Sequence, residues 1–274
     1  MKLWAFIFLV IILSSLELSA QSEWPLLPNG RFLNPSDITM PYDHLDFKGE
    51  LYDFEKGNIW KFSLSGGISL FRDKHEISID IPFVRSEYTG IENLLGIGDL
   101  LLRWKMLTYE SINRVRTLAS SAIYLEVSLP TGEEYNGHGA GVPIMSPGFI
   151  LCYKPVQRIG IFPHIKYTHS LGEASSEWGG AISGGISIDP DEMTRKIRAM
   201  QAEILFNVEF TGLWIGIAPA YVQDFNSGEG TLNIRPELGI LFAESLALKL
   251  SGSFFIAGRR RLQSWTMFSA NYYF

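Results

Sequence analysis

A two-residue apolar period runs along most of this chain, and past the first residues no long apolar run interrupts it. Ile77, Ile79, Ile81 and Phe83 interleave with Ser78, Asp80 and Pro82. Leu100, Leu102, Trp104 and Met106 interleave with Leu101, Arg103 and Lys105, and Ile123, Leu125, Val127 and Leu129 with Tyr124, Glu126 and Ser128. Successive side chains of a strand point to opposite faces, so each segment has one apolar and one polar face. Helices would need apolar spacings of three and four. The pattern recurs at 43–54, 60–70, 146–154, 159–169, 200–210, 213–221, 232–242, 246–254 and 262–274, which predicts about twelve strands, an even number.

Beyond residue 20 no apolar run approaches the ~18 residues of a transmembrane helix. Strands of this kind then build either a soluble barrel with an apolar interior or a closed membrane barrel, because lipid leaves no unpaired backbone group tolerable. The two faces favour the membrane. Polar faces carry both signs of charge (Arg103, Lys105, Glu126, Lys166, Glu203, Glu209, Arg235, Glu237, Lys249), which suits a wet lumen. Apolar faces place Trp60, Tyr153, Tyr167, Phe210, Tyr221, Phe242 and Tyr272 near strand ends, where interfacial girdles belong. The expected fold is all-β, a closed antiparallel up-and-down transmembrane β-barrel over residues 43–274.

Connection lengths agree. Counted back from a periplasmic C-terminus, 243–244, 211–212, 155–158 and 72–75 are tight turns on one side, and 85–97, 130–145, 170–196 and 224–230 are longer loops on the other. Leu107–Ser120 is a long connection on the short side unless its flanking strands extend into it. Residues 179–188 have some strand character and are assigned to an external loop or to a β-hairpin within it. Pro163, Pro219 and Pro236 fall inside strands, where a missing ladder donor predicts bulges or interface positions.

Met1-Lys2, the apolar run 3–13 and the small residues up to Ala20 read as a cleavable signal peptide, residues 1–20. Residues 21–42 are rich in Pro and Gly and irregular, either a periplasmic lead-in or a plug inside the barrel. Cys152 is the lone cysteine, so no internal disulfide forms. A net charge of −6 without a basic stripe speaks against nucleic acid.

The order Ile79-Asp80-Ile81-Pro82-Phe83, Gly96-Ile97-Gly98-Asp99 opening a strand, and Leu129-Pro130-Thr131-Gly132 closing one resembles the outer-membrane β-barrel family linked to phenol meta-degradation pathways. The resemblance is concentrated in residues 76–154. It implies a Gram-negative outer membrane, a transport role and aromatic or other hydrophobic cargo.

A search for chemistry leaves the lumen as the site. His164, Lys166 and Thr168 share a face, but the lysine is a poor neighbour for a cation, and no Cys/His cluster has metal-ligand spacing. Ser170 beside His169 points to the opposite face. Gly137-His138-Gly139-Ala140-Gly141 lacks the lysine and helix of a phosphate loop and reads as flexible external loop. The expected activity is therefore passive diffusion of a small solute, without enzyme chemistry, cofactor or metal. Asp80, Arg103, Lys105, Glu126, Lys166, Glu203, Arg235 and Glu237 are the expected lumen lining. Arg259, Arg260 and Arg261 in an external turn are candidates for lipopolysaccharide phosphates. The last strand, ending on Phe274, is the expected signal to the barrel assembly machinery. A non-transporting structural or adhesion barrel and an outer-membrane lipid hydrolase are the alternatives.

Overall fold

The computed structural model describes residues 38–54, 57–88, 95–112, 118–134, 137–156, 158–175, 194–210, 212–259 and 262–274. The expected signal peptide, residues 21–37 of the irregular segment, 179–188 and Arg260 and Arg261 lie outside the described residues. In chain order the strands are β1 (His44–Phe54), β2 (Gly57–Leu70), β3 (His75–Tyr88), β4 (Leu95–Ile97), β5 (Leu100–Ile112), β6 (Leu118–Leu129), β7 (Ile144–Val156), β8 (Ile159–Ser170), β9 (Ala174–Ser175), β10 (Thr194–Arg195), β11 (Arg198–Phe210), β12 (Leu213–Asp224), β13 (Gly230–Ala243), β14 (Leu246–Gly258) and β15 (Ser264–Tyr273). Three are accessory: β4 adds a short pairing to β3, and β9 pairs with β10 beyond the β8–β11 hairpin. The rest form one closed antiparallel barrel of twelve strands.

Closure is made by the first and last strands. β1 pairs with β15 from His44↔Tyr273 to Asp53↔Ser264, and with β2 on its other side. No barrel edge is left open to demand a partner. Each barrel strand is 10 to 14 residues, matching the length a tilted strand needs to cross hydrocarbon. The long connection expected between β5 and β6 shrinks to 113–117, because both strands continue into it past a bulge at Leu107/Tyr109.

The prolines depart from expectation. Pro163, Pro219 and Pro236 stay in register, and the register shifts fall elsewhere, at Leu107/Tyr109, Tyr153/Val156, Leu232/Asn233 and Leu241/Ala243. Beside each proline one ladder skips two positions and then resumes: Ile150↔His164 to Tyr153↔Ile161, Glu203↔Ala220 to Phe206↔Ile217, and Ile234↔Phe254 to Glu237↔Ser251. A strand residue donates its N–H to one neighbour only, so losing that donor weakens one ladder and leaves the other to hold the register.

The wall is inside-out relative to a soluble barrel. Ile204, Phe206, Val208 and Phe210 of β11 are exposed on the outside, while Asn207 and Glu209 are buried within. One end of the barrel carries the connections 71–74, 113–117, 157–158, 211–212 and 244–245, none longer than five residues, and the other carries the long connections 89–99, 130–143 and 171–197 together with the short links 55–56, 225–229 and 259–263. Exposed Tyr153, Phe210, Phe242 and Tyr272 ring the turn end, and Trp60, Tyr167 and Tyr221 ring the loop end.

At the loop end Gly137–Gly141, expected to be flexible, is tied to the barrel by hydrogen bonds and packing. Asp99, buried at the start of β5, accepts the backbone N–H of Gly132 at 3.0 Å on one oxygen and that of Ala140 at 2.7 Å on the other. Thr131 Oγ1 accepts the Leu100 N–H at 2.9 Å and donates to Gly98 O at 3.1 Å. The buried His138 ring occupies the space a side chain at Gly96 would need, so glycine is required there. Ala140 then packs inside the mouth with Phe54, Ile59, Val84, Ile144, Ala174, Ile197 and Ala199.

Replacing Asp99 by Ala strands two backbone donors, each costing ~1–3 kcal/mol when buried without an acceptor. A Glu-specific protease should then cut at the exposed Glu133 and Glu134 at least ~10-fold faster than in the unaltered protein, because local opening is what exposes the chain. An unchanged rate would remove Asp99 as the latch.

Candidate functional site: a charge-paired lumen

Period two places every second residue of each strand in the lumen, and the cross-strand register decides which of them meet. Six of the expected lining residues (Arg103, Lys105, Glu126, Lys166, Glu203 and Arg235) line one cavity of about 360 Å³ within the barrel. Asp80 and Glu237 lie off it. Asp80 sits opposite Ser65, within electrostatic reach of Lys61. Glu237 accepts the Trp214 indole N–H at 3.1 Å and faces Lys249 at 3.3 Å.

The lining charges are paired. Arg103 and Glu126 are direct cross-strand neighbours, and Arg103 Nε donates to Glu126 Oε1 at 2.8 Å. The second Glu126 oxygen faces Lys166 Nζ at 3.6 Å. Arg235 Nη1 donates to Glu203 Oε2 at 2.8 Å. Lys105 Nζ lies 2.7 Å from Glu76 Oε2 and donates to the carbonyl of Met40 at 2.8 Å. Nearer the turn end Lys154 meets Glu209 at 2.6 Å, both side chains only 4% exposed.

Two clusters escape a reading of charges alone. Tyr124, inward on β6, meets His164 Nε2 at 2.5 Å, and His164 Nδ1 faces Glu203 Oε1 at 3.2 Å. A carboxylate only accepts, so Nδ1 carries a proton towards Glu203. The Tyr124 ring fills the space above Gly148 on β7, where a Cβ would fall inside it. On the β1–β15 wall, Glu50 accepts the Tyr52 hydroxyl at 2.8 Å and the Trp265 N–H at 3.2 Å, and faces Lys61 at 3.3 Å. The Arg235 guanidinium lies over Trp265, 5.8 Å from its centroid, and ties the two clusters together. Phase was the available signal: Tyr124 alternates with the apolar residues of β6, and Glu50 and Tyr52 share one face of β1.

The remaining histidines do not converge. His169 is an outward neighbour of Tyr167, stacked at 6.3 Å, while His164 points inward. Among the described residues no group of three or more His, Cys, Asp or Glu is placed to hold a metal ion. Arg259 is committed to Glu229 at 2.5 Å. Phe274 is exposed at the turn end, its N–H donated to Asp43 O at 3.2 Å.

Residues 38–42 cross the lumen at the turn end. Thr39 Oγ1 lies 2.7 Å from Ser120 Oγ, and the Tyr42 N–H reaches Glu76 Oε2 at 3.3 Å. Ile38 packs against Cys152, Phe162, Leu205 and Ala218, and Met40 and Tyr42 pack with Trp214, Ala247 and Tyr273. Those partners, with Lys105 on Met40 O, come from β3 and β5 round to β15, so the segment spans the bore.

No family model matches the sequence, and no curated protein matches it either. Solved structures do. An outer membrane channel from Pseudomonas putida F1 is similar at TM-score 0.63 and 12% identity, over 88% of this chain and 100% of that one. The NanC porin is similar at TM-score 0.53 and 7% identity, over 84% of this chain and 98% of that one. At such identities the likeness is one of fold.

Gly148→Ala should push the Tyr124 ring aside, break its bond to His164 and lower stability by ~1–3 kcal/mol, as overpacking does. The denaturant midpoint reads the loss, and the double substitution Gly148→Ala with Tyr124→Leu should recover most of it. A single variant as stable as the parent would show that the ring is free to move.

Proposed function

We propose that this chain is a bacterial outer-membrane channel through which a small solute, aromatic or otherwise hydrophobic, diffuses passively. The observation that carries this reading is a charge-lined cavity inside a barrel whose outside is apolar. The similar structures are described as an outer membrane channel and a porin, which supports the same reading. The aromatic preference rests on the sequence resemblance and on Tyr52, Tyr124 and Trp265 in the lining. Asp80, Arg103, Lys105, Glu126, Lys166, Glu203, Arg235 and Glu237 are the proposed selectivity set.

In this reading residues 1–20 are removed on export and residues 21–42 act as a plug entering from the turn end, which faces the periplasm. Residues 38–42, held by Ser120, Lys105 and Glu76, support that role. Arg260 and Arg261 would carry lipopolysaccharide contacts more than Arg259, whose guanidinium Glu229 already holds. The C-terminal strand ending in Phe274 would be read by the assembly machinery. A second reading, a sealed structural barrel, is favoured by one observation: the same residues 38–42 span the bore.

Planar-bilayer recording separates the two. The mature protein and a variant lacking residues 21–42 should both give discrete openings, with larger conductance after the deletion. Silence from both, with the barrel shown folded by its resistance to SDS before heating, would leave the structural reading.

A further inference from the structure

Resting on the channel reading, the ion pairs of the lumen point to a class of solute. In and beside the central cavity the basic groups Lys61, Arg103, Lys105, Lys166 and Arg235 stand among the carboxylates Glu50, Glu76, Asp80, Glu126 and Glu203. Two further carboxylates line the cavity towards the loop end: Glu229, held by Arg259, and Asp224, which accepts the Asn226 N–H at 2.9 Å. The pairing is local. Glu126 serves both Arg103 and Lys166, and Glu203 serves both Arg235 and His164. Lys61 faces Glu50 and Lys105 faces Glu76.

Such an arrangement differs in kind from a ring of one charge. A ring with one sign presents a field that draws its counter-ion into the bore and repels the co-ion. Opposite charges within hydrogen-bond reach cancel at a distance of a few ångströms, so a permeating ion meets little attraction to offset its lost hydration. To gain a partner it must break an existing pair. An uncharged solute meets no such penalty, and the faces of Tyr52, Tyr124 and Trp265 with the amides of Gln201 and Asn233 offer it contacts.

We propose that Glu126 and Glu203 are specificity-determining residues: by neutralising the basic groups around them they make the lumen selective for uncharged polar-aromatic solutes over ions of either sign. Glu126 is the stronger lever, because among the described ion pairs it is the carboxylate that faces two permanent cations. Removing it takes away the carboxylate that Arg103 and Lys166 share. Removing those two cations instead leaves the Glu126 carboxylate bare, and the bias must reverse.

The test uses the full mature chain in liposomes and planar bilayers, with Glu126→Gln, Glu203→Gln and the double variant Arg103→Gln/Lys166→Gln. Fold is checked by SDS resistance before heating. Liposome swelling should admit phenol-sized neutral solutes at least ~10-fold faster than singly charged ones of equal size in the parent. Reversal potentials in a potassium chloride gradient should lie near zero for the parent. They should shift toward chloride by at least ~3-fold in permeability ratio for Glu126→Gln, less for Glu203→Gln, and toward potassium for the double variant. If Glu126→Gln fails to fold, the opposite shifts of the other two still decide the matter. A parent already strongly ion-selective, or variants that leave the ratio unchanged or move it the same way, would overturn the inference and leave the channel standing. Absence of any flux from the parent and every variant, all folded, would overturn the channel reading as well.

Discussion

The ladder between β1 and β15 is the constraint on which the rest depends. Hydrocarbon offers nothing to a free N–H or C=O, so a strand-built span must close on itself. Here the closing pair runs ten residues, His44–Asp53 against Ser264–Tyr273. Once the ring is shut, one residue in two must face lipid and the other must face a narrow enclosed bore. That division, more than any local propensity, dictates the alternation along every strand. It also explains why proline is tolerated at 163, 219 and 236: two ladders hold each strand, and losing one donor leaves the register intact.

A bore lined by polar side chains creates its own difficulty, because charges enclosed there lose water. The structure meets it by pairing. Arg103 with Glu126, Arg235 with Glu203 and Lys154 with Glu209 each satisfy a basic and an acidic group together. A pair buried on both sides, as Lys154 and Glu209 are, adds little net stability, but breaking one side of it costs ~3–5 kcal/mol, so it favours a unique register. Aromatic rings fill the remaining space where glycine on the neighbouring strand gives room, as Tyr124 does over Gly148 and Trp214 over Gly239. The apolar packing around Ala140 at one end and residues 38–42 at the other narrow access to the central cavity.

Strand identity and number were legible because lipid and lumen impose period two with little exception. β1 was the weakest segment, since Asp46, Lys48, Glu50 and Tyr52 share its inner face while its outer face includes Gly49. The face of each lumen charge was readable from phase, but its partner was not, because partners depend on a register set by closure. Glu50, Tyr52 and Trp265 were not among the expected lining, and Tyr124, though on the polar face of its strand, was not named as a lining group, because a lining read from charge passes over aromatics and over the weakly patterned β1. The Gly96–Asp99, Leu129–Gly132 and Gly137–Gly141 motifs were each visible, yet only the tertiary fold brings them onto one carboxylate, Asp99.

The claim beneath all of this is that the apolar face meets lipid and the polar face meets water. Spin labels placed one at a time from residue 202 to 208 of β11, in a Cys152→Ser background reconstituted into bilayers, test it directly. Collision with oxygen should peak at 204, 206 and 208, collision with a water-soluble nickel chelate should not, and the two profiles should alternate out of phase along the strand. Profiles in which 204, 206 and 208 are shielded from lipid, or in which no alternation appears, would contradict the account and make this a soluble barrel.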